Sequence, residues 1–368
     1  MLGGMPSIAQ TESCQVWRTS RAGSLRRLKL STLPLGAPAP HEVQVDVVAI
    51  GLNFADIFAC LGLYSATPAG AFIPGLECAG IIRATGSAVS NWQVGDRVMV
   101  LTRFGGYATR LNVDARYLWP VPPDWSLAEA AAYPVQALTA WYGLLPLGQV
   151  TVDSLVLLHS AAGGVGLNAL QALEQLQAKV IAVVGSQSKA EWLQETQSLA
   201  AEQIVIRDRH FAQRLDQALA SLGAKGFDVV FDAVYGPVFE SGFNRLAPEG
   251  RYILYGAADF MNTGSFANPL RLAWRYLRRP RLDPLTMISQ NRGLRAFNLI
   301  WLWDEVERLP KAMHDTLQLI PKPPVLGGHY PFEAAHEAMQ TLQAGQTRGK
   351  LLLVVSAHQH DPFMRGAR

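Results

Sequence analysis

The chain has 368 residues, 49% of them apolar and 17% charged. That length exceeds what one hydrophobic core usually serves, and that composition excludes a chain disordered throughout. Lys and Arg number 32 against 29 Asp and Glu, a formal charge of +3, too small a surplus over such a length to mark a nucleic-acid binder.

Three cysteines, Cys14, Cys60 and Cys78, make no CxxC pair and no even-numbered framework, which points to a reducing compartment. The opening residues lack the basic-then-apolar layout of a secretion signal, so a cytoplasmic location is the expectation. In chain order, the first third reads as strands and turns. Residues 41–52 alternate apolar and polar at Val43, Val45 and Val47, the pattern of a half-buried strand, and 94–101 form another strand opened by a Gly-Asp turn. The uncharged run from Ala130 to Val152 carries Pro134, Gln136, Gly143 and Pro146, a poor load for a membrane span, and reads as helix and loop.

From residue 155 strands and helices alternate. Strands are expected over 155–159, 179–184, 203–206, 227–234 and 250–257, with helices over 164–176, over 188–200 and, after the third strand, through Ala220. Such alternation implies right-handed βαβ units and a doubly wound parallel sheet, an α/β fold. A helix over 332–343 and a strand over 350–355 close the chain.

The first of these strands runs into Ser160-Ala161-Ala162-Gly163-Gly164-Val165-Gly166 and then a helix. Against the dinucleotide fingerprint GxGxxG, Gly163 and Gly166 hold the second and third glycine places and Ala161 replaces the first. A glycine at 163 lets backbone approach a diphosphate, one at 166 lets the helix pack close to the strand, and the helix N-terminus supplies free N–H donors. Ala162, Gly164 and Val165 complete the loop.

The second strand reads the ribose. NAD-selecting enzymes place Asp or Glu about 20 residues on. Here Gly185-Ser186-Gln187-Ser188-Lys189 brings no carboxylate before Glu191. Ser186 and Lys189, with Arg207 after the next strand, suit a 2′-phosphate, so NADPH is the expected cofactor. Val234 and Gly256 end parallel strands where a dinucleotide crosses the sheet.

These features, with GLNFADIFACLGLY at 51–64, IPGLECAGIIRATGSAVSNWQVGDRV at 73–98, HSAAGGVG at 159–166 and RGKLLLV at 348–354, resemble the zinc-free quinone oxidoreductase branch of the medium-chain dehydrogenase/reductase superfamily. The segments 96–101 and 255–264 and the arginine-rich stretch after them are most similar to its vesicle amine transport protein group. The resemblance implies a Rossmann sheet over 135–294 inside a GroES-like β-barrel domain over 14–134 and 295–368. The active site would lie in the cleft between them, and a homodimer is implied by analogy.

Where zinc-using relatives carry ligating Cys and His, this chain has Asn53 and Leu76, Phe58 stands at the other histidine place, and no four-cysteine loop exists. No metal is expected, and Glu77 reads as structural. The resemblance sets Asn53 and Tyr64 beside the nicotinamide as donors to an oxyanion, and Thr139 near its amide or ribose. Asp56 reads as a helix cap. The expected substrate is a quinone or an α,β-unsaturated carbonyl. The alternatives are an enoyl-thioester reductase, served by the basic segment Arg271–Arg281, or a weakly catalytic NADPH-binding scaffold in lipid or vesicle association. That segment reads as a solvated helix rimming the cleft more readily than as a membrane contact.

Overall fold

The computed structural model describes residues 12–261 and 264–355. The apolar runs that the sequence offers as strands form one sheet. Leu155–Leu158 is buried at every position, and Lys179–Val184 at all but its first. Strands buried on both faces are what a parallel sheet covered by helices requires. Six parallel strands lie in the spatial order Ile204–Ile206, Lys179–Val184, Leu155–Leu158, Phe227–Asp232, Leu246–Leu254 and Gly293–Ala296. The order reverses beside Leu155–Leu158, and the crevice beyond the strand ends at that reversal is where such sheets bind dinucleotides.

The second sheet is built on Glu42–Gly51, which pairs antiparallel with Glu77–Thr85, Arg110–Asp114 and the last strand, Lys350–Val354. Arg97–Leu101, Leu118–Pro120 and Leu326–Pro331 extend it, and a hairpin of Glu12–Thr19 with Leu28–Leu35 stands beside it. Glu42–Gly51 is not half-buried as its alternation suggests. Val43, Val45, Val47 and Ile50 enter one core with Ile57 and Cys60, while Val48 and Ala49 enter another with Ala131 and Tyr133. The strand is thus the seam between two cores.

The parallel sheet continues past the division expected at 294/295, because Gly293–Ala296 is its sixth strand. Beyond it, helix Leu309–Leu319 stays with the same body: the Tyr133 hydroxyl, at the head of helix Pro134–Tyr142, donates to the carbonyls of Thr316 (3.2 Å) and Ile320 (2.8 Å). The chain re-enters the barrel sheet at Leu326–Pro331. The last strand then ties the two bodies, since Gly349 N–H donates to the Ala162 carbonyl at 3.0 Å, inside the glycine loop.

Candidate active site

The glycine loop forms as the local sequence dictates. Strand Leu155–Leu158 leads into Ser160, which takes a left-handed φ of 56°, and helix Gly164–Gln175 begins with Gly163 as its cap. A side chain on Gly166 would lie 2.7 Å from the Ala161 Cα, so only hydrogen allows the helix to meet the strand there. At Gly163 the nearest obstacle is the Ser160 carbonyl at 3.2 Å, leaving room for a ligand against the backbone. The free N–H groups of the helix N-terminus complete an anion-binding end.

This loop opens into a cleft of about 1070 Å³ at the seam of the two bodies. Ala162, Gly163, Gly164, Val165 and Gly166 form its floor. Val234 and Gly256 line it at the strand ends, and Gly185, Lys189 and Arg207 at the far side. Ser186 stands back from the wall, its hydroxyl 3.2 Å from that of Ser188. Asp232 holds the Val234 turn by accepting from the N–H groups of Val234 and Tyr235 and from the Tyr252 hydroxyl at 2.6–2.9 Å.

Lys189 donates to the Gly345 carbonyl at 2.7 Å. Burial first, then the charges of Arg348 and Arg207, hold its ammonium below the usual lysine range. No carboxylate pairs with Lys189, Arg207 or Arg348 among the described residues. An uncompensated cluster of cations is costly without an anionic guest.

At the other end the barrel contributes Asn53, Tyr64 and Lys350, with Thr139 from the sheet body. Asn53 precedes helix Phe54–Leu61, and its backbone N–H donates to Asp56 Oδ2 at 2.8 Å, so Asp56 is the cap that the sequence suggests. The Asn53 side chain is differently engaged from the free donor expected. Its Nδ2 donates to Glu77 Oε1 at 2.9 Å and weakly to the Gly51 carbonyl at 3.4 Å, and its Oδ1 accepts from Lys350 Nζ at 2.8 Å. Lys350 also pairs with Glu77 Oε1. Glu77 Oε2 accepts from the Val135 N–H at 2.8 Å, at the N-terminus of helix Pro134–Tyr142. Lys350 and Glu77 are 1% and 0% exposed. Asn53 therefore bridges a buried Glu–Lys pair, and Lys350 is among the residues that line the cleft.

Tyr64 donates to Asn298 Oδ1 at 2.7 Å, and burial raises its phenol to about 12. It is a neutral donor throughout the physiological range. Thr139, on the cleft wall, donates back to the Val135 carbonyl at 2.6 Å. Lys350 and Asn298 escape a reading of the sequence because they reach the site from the far end of the chain.

The donor set does not fit zinc. Asn53 and Leu76 offer neither thiolate nor imidazole, both Glu77 oxygens are committed, and an ammonium stands between Asn53 and Glu77. Among the described residues no three His, Cys, Asp or Glu side chains gather as a metal site.

The arginine-rich stretch forms helix Pro269–Leu277. Arg275 turns inward, lining the cleft 3.6 Å from Asp259. Arg278 and Arg279 lie over the rings of Trp274 and Tyr276. Among the described residues no helix is long and apolar enough to cross a membrane.

A dinucleotide sheet in 3-2-1-4-5-6 order, flanked by a barrel that the chain enters twice, defines a dehydrogenase/reductase of the medium-chain kind. The chain matches the alcohol dehydrogenase GroES-like domain over 39–123 and the zinc-binding dehydrogenase domain over 164–278. It is 33% identical over 337 residues to human synaptic vesicle membrane protein VAT-1 homolog, covering 90% of this chain and 84% of that protein. Among solved structures, Escherichia coli quinone oxidoreductase complexed with NADPH superposes with a TM-score of 0.77 at 26% identity, covering 93% of this chain and 100% of the other. The CurK enoyl reductase superposes at 0.76 and 25% identity, covering 93% and 99%. The chain belongs to the quinone oxidoreductase branch of the medium-chain dehydrogenase/reductase superfamily, beside the VAT-1 homologues.

Proposed function

We propose that the protein is an NADPH-dependent, metal-free reductase of quinones or α,β-unsaturated carbonyls. The observation that carries this reading is that one cleft is lined both by an anion-binding glycine loop and by the half-buried, neutral phenol of Tyr64. The similarity to an NADPH-complexed quinone oxidoreductase and to an enoyl reductase supports it.

Gly163–Gly166 and the helix N-terminus would hold the diphosphate, Lys189 and Arg207 the 2′-phosphate, and Thr139 the nicotinamide end. NADPH, when bound, supplies a hydride. The protein's own part is to bind the substrate against Phe54, Phe58, Leu63 and Trp303 on the cleft wall, to exclude water, and to stabilise the oxyanion that develops. Tyr64 does this by turning its hydroxyl from Asn298 to the substrate oxygen. Lys350 adds fixed positive charge behind it, and Asn53 positions Lys350.

A second reading, an enoyl-thioester reductase, is favoured by Arg275 on the cleft wall, a cation suited to a phosphate-bearing tail. NADPH consumption measured with a quinone, a simple enone and an enoyl-coenzyme A, with and without a chelator, tests both. Turnover of the first two that survives chelation is expected. A strong preference for the thioester would move the assignment to the second reading. No turnover with any, alongside tight NADPH binding, would leave a cofactor-binding scaffold.

A further inference from the structure

After strand Gly293–Ala296 the chain leaves the parallel sheet as a 3-10 helix, Leu299–Arg308, that is tied to the barrel. Three side-chain bonds make the tie. The Tyr64 hydroxyl donates to Asn298 Oδ1 at 2.7 Å, the Tyr117 hydroxyl to the Trp303 carbonyl at 3.0 Å, and Arg103 pairs with Asp304 at 3.0 Å. With three residues per turn, Ile300 and Trp303 fall on one face, and both line the cleft. Trp301 is on the outside, 47% exposed, with the Arg103 guanidinium 5.5 Å from its ring centre. Trp303 is 5% exposed, and its indole N–H meets no acceptor among the described residues. Buried polar groups in folded chains are nearly always paired, so this donor needs an account. The polar groups of its own segment are committed elsewhere: Asn298 to Tyr64, the Trp303 carbonyl to Tyr117, Asp304 to Arg103. Leu299, Ile300, Phe54 and Phe58 bring only apolar side chains to the same cleft.

We infer that Trp303 is a specificity residue of this site, whose indole N–H takes an oxygen of the substrate while its ring packs on the planar acceptor. This rests on the reading of the cleft as that of a reductase, and deepens it by giving the substrate a second point of recognition. Tyr64 serves the oxygen that becomes anionic. Trp303 serves another, and because an indole N–H donates only and accepts nothing, it holds that oxygen without handing over a proton. An acceptor with oxygens on two sides of its ring satisfies both donors. An enone with a single oxygen leaves one of them unmade, and a site built around a buried donor discriminates against the ligand that cannot pair with it. The ties at Tyr117 and Arg103 hold the indole in place on the wall before substrate arrives.

The test uses two probes of similar bulk, titrated by calorimetry with no reductant present. Duroquinone carries two oxygens and, with a methyl on every free ring carbon, does not add thiols. Isophorone is a cyclohexenone with one oxygen. Trp303→Phe keeps an aromatic ring and removes the N–H. It should weaken duroquinone roughly 3- to 10-fold, the worth of a neutral hydrogen bond, and isophorone less than twofold. In turnover the same variant should raise KM for the quinone with kcat nearly unchanged. In the wild-type protein, duroquinone should shift the Trp303 indole N–H proton resonance and isophorone should not. Equal losses for both probes would make Trp303 a packing residue and overturn the inference, as would an unaltered affinity for duroquinone. If the variant does not fold, the wild-type resonance decides alone, and one that duroquinone leaves in place overturns the inference. The reductase reading fails separately, by a wild-type protein that consumes no NADPH with any acceptor. A wild-type protein that reduces quinones and whose Trp303→Phe variant binds them equally well sinks the inference alone.

Discussion

The Tyr64 hydroxyl has one proton to give and gives it to Asn298 at 2.7 Å. Exchanging that acceptor for a substrate oxygen is nearly neutral in hydrogen-bond count, so the donor is available when a carbonyl arrives. Tyr64→Phe keeps the ring and removes the proton. A net hydrogen bond is worth about 1 kcal/mol, so the melting temperature should move only by a few degrees. A quinone, whose anion is intrinsically stable, should lose about tenfold in turnover, the low end of what an oxyanion donor contributes. An enone should lose more. Unchanged turnover with both, at saturating NADPH, would return Tyr64 to a packing role. Asp56 gives a second prediction at this scale. Burial outweighs the Asn53 N–H, Lys350 and Tyr107 around it and raises its carboxyl to about 7, from 3.8. A carboxyl raised on folding binds its proton more tightly in the native state, so its contribution is full below about pH 4 and is lost as pH rises toward 7, by an amount on the order of a few kcal/mol. Asp56→Asn should remove that slope. The difference in melting temperature between variant and wild type should grow in the variant's favour from pH 4 to pH 7 and level off above. A difference that stays constant over that range would show that Asp56 does not titrate there.

At the level of elements, the strand–glycine–helix unit at 155–175 was readable because its determinants are local: an apolar strand, a glycine at 166 where a side chain would collide with Ala161, and a helix that starts at the cleft floor. What sequence could not place was supplied by chain return. Asn298 reaches Tyr64 across 234 residues, and Lys350 reaches Asn53 across 297. The strand at 42–51 misled for a related reason. Its alternation was real, but helix Leu127–Ala132 covers the face that alternation left to solvent. Helix Pro269–Leu277 was readable as amphipathic, though not which arginine turns inward. It exposes Leu270, Trp274 and Leu277 but commits Arg275 to the cleft, and Arg278 and Arg279 to its own rings. Short, with one tryptophan and its free charges screened within about 8 Å in physiological salt, it is a weak anchor. The protein should therefore stay in the supernatant when mixed with anionic liposomes at physiological salt. Sedimentation abolished by replacing Arg275 and Arg278 would assign this helix to a lipid surface instead.

Across the whole molecule, polar ties join the two bodies at several places, and a deeply buried one is at Glu77. That carboxylate lies on the barrel sheet, pairs with Lys350 of the last strand, and accepts the Val135 N–H of the sheet body. Removing one member of a buried ion pair strands the other charge, at a cost of about 3–5 kcal/mol, whereas replacing both can be nearly neutral. Lys350→Met should therefore lower the melting temperature by well over 5 °C. The double variant Glu77→Gln with Lys350→Met should recover much of that loss, because a neutral amide can still accept from Val135 and bond Asn53. Catalysis should not follow stability. If Lys350 supplies charge to the cleft, the double variant should be folded yet slow with an enone, its turnover reduced at saturating NADPH. Recovery of both stability and turnover would confine Lys350 to holding the seam. A single variant as stable as wild type would mean the pair contributes nothing to joining the two bodies.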